Sequence, residues 1–281
     1  MPHNMVKPGA SGRGRIHMID MHNHILFDTD DGPKEIEESV RMIETAVEAG
    51  FDELMLTPHY FPNGPYLKTT KENTEKFELL KRVVEKAGIP VKLFLGSEIM
   101  YAYHVPDRVG SGDFKTLGDT CYFLLETQRR GATAEGLLGV VRKLEQMGFS
   151  SVFAHPERVD FVQEEPEILR DFISRGCLIQ CNYLSLTDYY GPAPERTIRQ
   201  LLEMGLVHTI GSDAHQKEAY ELWPQADERG KAAAGEDSWK RITMDNPAKL
   251  LAGEKLVTEA GPVRMTVSSY LGKTDLGIIF E

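Results

Sequence analysis

The stretch Ile19-Asp20-Met21-His22-Asn23-His24-Ile25-Leu26-Phe27-Asp28-Thr29-Asp30-Asp31-Gly32-Pro33 decides how the rest of the chain is read. It starts as a short apolar run and within a few residues becomes dense in groups that bind metal. His22 and His24 are two apart, and on an extended strand residues i and i+2 point to the same side. Both imidazoles then face one place, as a metal site requires. Asp31 follows in a turn, where Gly32-Pro33 closes the loop and opens a helix. A plainer reading is a strand with two surface histidines beside a helix whose N-cap is Asp31. Taken alone, the stretch does not decide between the two.

Outward from it, the chain alternates strand and helix. A helix near 34–49 carries Ile36, Val40, Ile43 and Val47 at helical spacing and ends at Gly50. Asp52-Glu53-Leu54-Met55-Leu56-Thr57-Pro58-His59 reads as a strand running into a Pro-His turn. Further strands are predicted at 91–98, 122–126, 151–154, 177–181 and 206–210. Helices are predicted near 70–87, 133–147, 165–175, 194–204, 217–230 and 237–252. About seven strands, each followed by a helix, predict a parallel α/β barrel, a distorted (β/α)7 form of the TIM-barrel type. An open doubly wound sheet is the competing architecture, but no glycine-rich phosphate loop follows the first strand. The barrel domain is placed at 16–252. Residues 1–15 read as a flexible N-terminal extension. Residues 253–281 read as a C-terminal extension in which Val263, Met265 and Val267 alternate as in a strand.

Composition narrows the function. The 281 residues carry a formal net charge of −11, which argues against a nucleic-acid-binding surface. The three cysteines, Cys121, Cys177 and Cys181, show no zinc-type pairing, and the latter two read as buried thiols. This usage fits a reducing cytoplasm. No apolar run approaches membrane-spanning length, and no signal-peptide core is expected at the N-terminus.

Nearly every predicted strand ends in a residue able to bind a hard or borderline metal: His22 and His24, His59, Glu98, Glu126, His155, then Asp213 and His215. In a β/α barrel those ends converge on one face, where active sites are built. Five of the nine histidines fall at such positions, too many for solvated surface. His3, His17, His104 and His208 fit no such pattern and read as structural or surface residues. Imidazole and carboxylate without thiolate suit Mn, Fe or Zn rather than a structural zinc cluster. With Asp31 added there are too many ligands for one ion, and a carboxylate such as Glu98 can bridge two.

The run from Met18 to Lys34 resembles the opening of the bacterial CpsB/YwqE-type phosphatases, a branch of the polymerase and histidinol phosphatase (PHP) superfamily. The similarity continues through Thr57-Pro58-His59, Gly96-Ser97-Glu98-Ile99, Ala154-His155-Pro156-Glu157-Arg158, Gly211-Ser212-Asp213-Ala214-His215 and Asp245-Asn246-Pro247. The resemblance implies a distorted seven-stranded barrel with three metal ions, most often Mn2+, with Fe, Zn or Mg as alternatives. It also implies protein tyrosine phosphatase activity, and as partner a phosphotyrosine protein, usually a bacterial tyrosine autokinase of capsule or exopolysaccharide synthesis. Carried onto this chain, His22, His24, Glu98 and Asp213 would hold one ion. Glu98, Glu126 and His155 would hold a second, and Asp31, His59 and His215 a third. Asp20 would orient a ligand histidine, or else simply cap a strand end.

The reaction expected is hydrolysis of an aryl phosphate monoester by a metal-activated water, with Arg158, Asp213 and His215 as candidate catalytic residues. Arg158 would clamp a phosphate oxygen; the plainer alternative pairs it with Glu157 or Asp160. A cysteine mechanism needs Cys-x5-Arg, and six residues after Cys121, Cys177 and Cys181 stand Thr127, Tyr183 and Thr187. Relatives often carry an arginine soon after the Ser-Asp-x-His motif; here Gln216-Lys217-Glu218 follows. Lys217, Arg129 and Arg130 are the candidate replacements. Rival readings are a PHP phosphoesterase acting on small phosphate monoesters such as histidinol phosphate or nucleotides, a metal-dependent amidohydrolase, and a non-catalytic metal-binding regulator.

Overall fold

The computed structural model describes residues 18–62 and 64–256. The expected extension at 1–15 and the alternating Val263, Met265 and Val267 lie outside the described residues. The strands are β1 (Met18–Asn23), β2 (Phe51–Leu56), β3 (His59–Tyr60), β4 (Lys92–Leu95), β5 (Glu98–Met100), β6 (Tyr122–Glu126), β7 (Ser150–Ala154), β8 (Leu178–Asn182) and β9 (Thr209–Gly211). They form two parallel hydrogen-bonded sheets, β1-β2-β4 and β3-β5-β6-β7-β8-β9.

The two sheets are one curved surface interrupted twice. β3 continues β2 beyond Thr57-Pro58, where proline has no N–H for the ladder. β5 continues β4 beyond Gly96-Ser97. Hydrogen bonds cross both breaks, from Gly96 N to Leu56 O (2.8 Å) and from Glu98 N to Pro58 O (3.1 Å). The strands therefore trace seven tracks, as the alternation predicted. The last returns to the first: Asp213 N donates to His22 O (2.8 Å), His24 N donates to Ala214 O (2.9 Å), and Asn23 bridges Ala214 in parallel. Gly211 permits this approach, because a Cβ there would lie 2.7 Å from the His22 Cβ.

Strand alternation builds two cores. One face of each strand packs inside the barrel, where Ile19, Met21, Met55, Tyr122, Leu124, Val152, Ala154 and Leu178 cluster with Leu117 and Leu250. The other face meets the helices: Leu54, Leu56, Phe123, Leu125, Phe153, Ile179 and Cys181 join the outer core. The helix Ala134–Gln146 shows how a local sequence serves this. Thr133 caps it by accepting from Gly136 N (3.3 Å), and Leu137, Val140, Val141 and Leu144 form its buried stripe. Burying each such side chain is worth about 1.5–3 kcal/mol.

Three expected helices are broken. The one predicted at 217–230 is two, Glu218–Glu221 and Trp223–Ala234. The segment predicted at 165–175 is a 3-10 turn Pro166–Ile168 and a short helix Leu169–Ile173, preceded by a separate helix Asp160–Glu164; Pro166 cannot continue the ladder of the preceding turn. The segment predicted at 237–252 contains a π turn, Arg241–Asp245, between Glu236–Lys240 and Asn246–Leu251.

Candidate metal centre

The first strand aims its histidines inward by a bulge. Asp20 pairs with Leu54 and Asn23 with Leu56, so three steps on β1 match two on β2. The shift lets Met21 sit in the inner apolar cluster while His22, immediately after it, turns to face Glu98 across the barrel. His22 Nε2 lies 3.2 Å from Glu98 Oε1 and 3.7 Å from Asp213 Oδ1. His24 Nε2 lies 3.3 Å from Glu98 Oε2 and 3.2 Å from Asp213 Oδ1. After β2, His59 places Nδ1 2.9 Å from Glu98 Oε2 and 3.1 Å from Glu126 Oε1, and Nε2 3.4 Å from Asp31 Oδ1. His155 Nε2 is 2.8 Å from Glu98 Oε1. His215 Nε2 is 3.2 Å from Asp31 Oδ1. All nine candidate ligands thus meet in one mouth at the C-terminal ends of the strands.

The donor atoms fall into three overlapping sets, each with its atoms within 4.8 Å of one another: His22, His24, Glu98 and Asp213; His59, Glu98 and Glu126; His24, Asp31, His59 and His215. The first set coincides with the expected division. In the second, His59 stands where His155 was expected, with His155 beside Glu98; in the third, His24 joins. Asp31 is not the helix cap. The helix Ile36–Glu48 starts at Glu35, and the Glu38 carboxylate accepts from Lys34 N and Glu35 N. Gly32 makes the turn after Asp31 feasible, since a Cβ there would collide with His24 O at 2.1 Å.

A chain of hydrogen bonds fixes which nitrogen of His22 faces the cluster. The Asp213 carboxylate can only accept, so Asn182 turns its Nδ2 toward it (2.8 Å). Asn182 Oδ1 then accepts from Gln180 Nε2 (3.0 Å), and Gln180 Oε1 accepts from His22 Nδ1 (2.8 Å). The proton sits on Nδ1, which leaves the Nε2 lone pair aimed into the cluster. His24 Nδ1 donates to Asp30 Oδ2 (2.8 Å) and His215 Nδ1 to Asp213 O (2.9 Å), with the same effect. This is how ligand histidines are oriented at metal sites.

The donor set fits cations. Glu98 Oε2, Glu126 Oε1, His59 Nδ1 and His155 Nδ1 are buried with no hydrogen-bond partner among the described residues, and buried polar atoms are rarely left so. The Nε2 atoms of His22 and His24 stand 3.2 Å apart, lone pair to lone pair in the neutral forms, which a cation between them would resolve. Without cations, protons do that work. Burial opposes charge on His24, but Asp30, Asp213 and Glu98 raise it well above the ordinary imidazole range. Burial and the neighbouring His24 oppose charge on His59, yet Glu98 and Glu126 push it up to about 10. Burial likewise disfavours charge on Glu98 and Asp213, and the facing histidines hold both well below the carboxylate range.

Around the cluster, sequence reasoning missed several residues and misread others. Among the described residues Asp20 makes no hydrogen bond to a histidine ring; its one bond to a histidine is from the backbone N of His22. Its carboxylate accepts from Ser212 N (2.8 Å), Ser212 Oγ (2.7 Å) and Tyr220 OH (2.7 Å), tying β1 to the loop after β9. The orienting role expected of Asp20 belongs to Asp30 and Gln180. Arg158 pairs with neither Glu157 nor Asp160: its Nη1 donates to Asp213 Oδ2 (2.6 Å), and its guanidinium lies 4.0 Å from the Tyr190 ring centroid. Lys217 is turned away toward Glu218 and Glu221 (3.8 and 3.7 Å), and Arg129 and Arg130 are exposed. Cys177 and Cys181 are fully buried, and burial pushes the Cys177 thiol up to about 12. His208 is half-buried, its Nδ1 accepting from Ile179 N (3.1 Å), and desolvation pulls it down to about 4.

Residues 18–252 match the family model of capsular polysaccharide synthesis proteins, CpsB/CapC. The chain belongs to the CpsB/CapC family. Among curated relatives, the tyrosine-protein phosphatase CpsB of Streptococcus pneumoniae is 28% identical over 240 residues, 83% of this chain and 98% of that protein. The tyrosine-protein phosphatase YwqE of Bacillus subtilis is 32% identical over 200 residues, 70% of this chain and 77% of that protein. Crystal structures of YwqE and CpsB, described as unique metal-dependent tyrosine phosphatases, include a chain that superposes with a TM-score of 0.80. That chain is 28% identical, and the match covers 88% of this chain and 100% of that one. Among the described residues no helix is long and apolar enough to cross a membrane.

Proposed function

We propose that this protein is a metal-dependent protein tyrosine phosphatase, holding three divalent cations, Mn2+ by preference, among His22, His24, Asp31, His59, Glu98, Glu126, His155, Asp213 and His215. The observation that carries the reading is the three overlapping donor sets, with buried lone pairs aimed at one another and left unpartnered. Family membership and the named relatives support it. We further infer that the substrate is a phosphorylated tyrosine of a cytoplasmic bacterial kinase that controls capsule or exopolysaccharide synthesis, the setting in which the family is named.

Bound in this cluster, divalent cations supply positive charge for the phosphate oxygens and lower the pKa of a water at neutral pH. The protein does the rest. Gln180, Asp30 and the Asp213 carbonyl hold three imidazoles with Nε2 inward. Arg158, lying over the Tyr190 ring and anchored on Asp213, presents its remaining N–H groups to a phosphate oxygen. The bond from phosphorus to the water oxygen forms in line as the bond to the phenolic oxygen breaks; the water's proton is given up to solvent, from which the released phenolate takes one. The phenolate is a stable enough leaving group to need little protonation, so the site needs no dedicated general acid. Buried, protonated Cys177 and Cys181 take no part.

The test is turnover of a phosphotyrosine peptide, histidinol phosphate and a nucleotide, before and after chelation, with Mn2+ then restored. The proposal expects the peptide to be the preferred substrate and its turnover to vanish and return. Preference for either small ester, or turnover that survives complete chelation, contradicts it.

A further inference from the structure

The rim of the mouth carries apolar side chains that neither the fold nor the cations require. Immediately after His59, the chain makes a tight loop in which Phe61 N donates to Tyr66 O (2.8 Å). The loop lays the Tyr66 ring parallel to His59, with centroids 5.4 Å apart and planes 13° apart, and Phe61 wedges against both rings at 4.7 and 5.2 Å. Tyr66 stays partly exposed, and its neighbour Leu67 is 52% exposed. Tyr190, bearing Arg158, follows β8. Around the seven tracks β8 and β3 are three apart by the shorter way, which puts Tyr66 and Arg158 on opposed sides of the opening. Between them lies a deep floor, with His22, His24 and Glu98 0% exposed.

We propose that Tyr66 is the specificity-determining residue of this site: its ring receives the aromatic ring of the phosphate ester opposite Arg158 and so selects aryl over alkyl phosphates. The inference rests on the phosphatase reading and names the group that sets its substrate class. A phosphate seated among buried donors must be reached from the surface. An aryl ester spans that depth with a flat ring that stacks on Tyr66. A serine phosphate has only a short aliphatic link, which offers nothing to the wall and draws its own peptide backbone against the rim. The exposed Leu67 extends the same apolar wall toward the residues flanking the phosphotyrosine.

The test compares wild type with Tyr66→Ala, Tyr66→Leu and Tyr66→Phe on a phosphotyrosine and a phosphoserine peptide of otherwise identical sequence. Metal content is measured in every variant, because Tyr66 also stacks on His59. The expected result is an aryl-to-alkyl ratio of kcat/KM about three- to tenfold lower in the Ala and Leu variants, the range of one aromatic pair, and restored in Phe. Equal loss on both peptides, or loss that tracks a fall in metal content, makes Tyr66 a prop for His59 and overturns the proposal. A second arm needs no turnover: phenylphosphonate and methylphosphonate are titrated into the Mn2+-loaded protein. Tyr66→Ala is expected to weaken phenylphosphonate alone; an equal effect on the two, or none, overturns the proposal. If the wild type hydrolyses neither ester, the phosphatase reading fails while this arm still decides the role of Tyr66.

Discussion

The interior of the barrel divides into two halves that share the same strands. β6 contributes Tyr122 and Leu124 to the lower half and Glu126 to the upper. β7 contributes Val152 and Ala154 below, then His155 at its end; β8 contributes Leu178 below, then Gln180 and Asn182. The lower half is apolar and gains stability from every surface it removes from water. The upper half buries carboxylates and imidazoles at a desolvation cost that their mutual attraction only partly offsets. Strand alternation, helped by the bulge in β1, thus places a self-sufficient core beneath a cluster that is incomplete without protons or cations. Changes above should damage chemistry and spare the fold, and changes below should do the reverse.

The strongest way to sharpen that contrast is Glu98→Gln. Glu98 approaches His22, His24, His59 and His155, and it belongs to two of the three donor sets. Turnover of a phosphotyrosine peptide should be abolished and the number of bound ions reduced, with the circular dichroism spectrum unchanged. Full metal content in this variant would break the comparison. Next comes Gln180→Leu, which removes the acceptor that holds the proton of His22 on Nδ1. Partners of this kind are worth about 10–100-fold in metal affinity or activity, and calorimetric titration of Mn2+ should show a loss of that order.

The pH dependence of metal uptake probes the same half. In the metal-free fold His59 is protonated up to about pH 10, against an ordinary imidazole value near 6.5. Its ion pairing therefore contributes stability that is fully present below about pH 6.5 and is lost as pH rises through about 10. A cation must displace that proton, so affinity should rise with pH by up to about tenfold per unit for each proton released. Titrations in two buffers of different ionisation enthalpy should report net proton release; its absence would mean the imidazoles are already neutral. The smallest effect on turnover belongs to the lower half. Leu124→Ala, at a position 1% exposed, should cost about 2–5 kcal/mol of stability in denaturant unfolding, yet leave turnover of the folded fraction within about twofold of wild type.

What the sequence revealed follows the same division. The donors at strand ends were legible because each is the polar residue that terminates an apolar run, and the barrel topology gathers such ends. The seven tracks were legible from the strand–helix alternation, although Thr57-Pro58 and Gly96-Ser97 split two of them. The residues that orient the donors were not legible. Gln180 sits between the apolar Ile179 and Cys181, and its partner His22 lies 158 positions away. Asp30 is one of three aspartates within four residues, and only the fold shows that it, and not Asp28, reaches His24. Asp28 faces Lys68 and Lys76 at the surface instead. The bulge in β1 depends on the register with β2, which no pattern within β1 encodes.

The most direct test of the account is the number of ions the protein holds. Untagged protein, dialysed to equilibrium in a low concentration of Mn2+, should carry three ions per chain by elemental analysis, all removable by a chelator and replaceable with return of phosphotyrosine hydrolysis. A stoichiometry of zero or one, with activity unaffected by chelation, would contradict the assignment of the upper half of the barrel as a multi-metal centre.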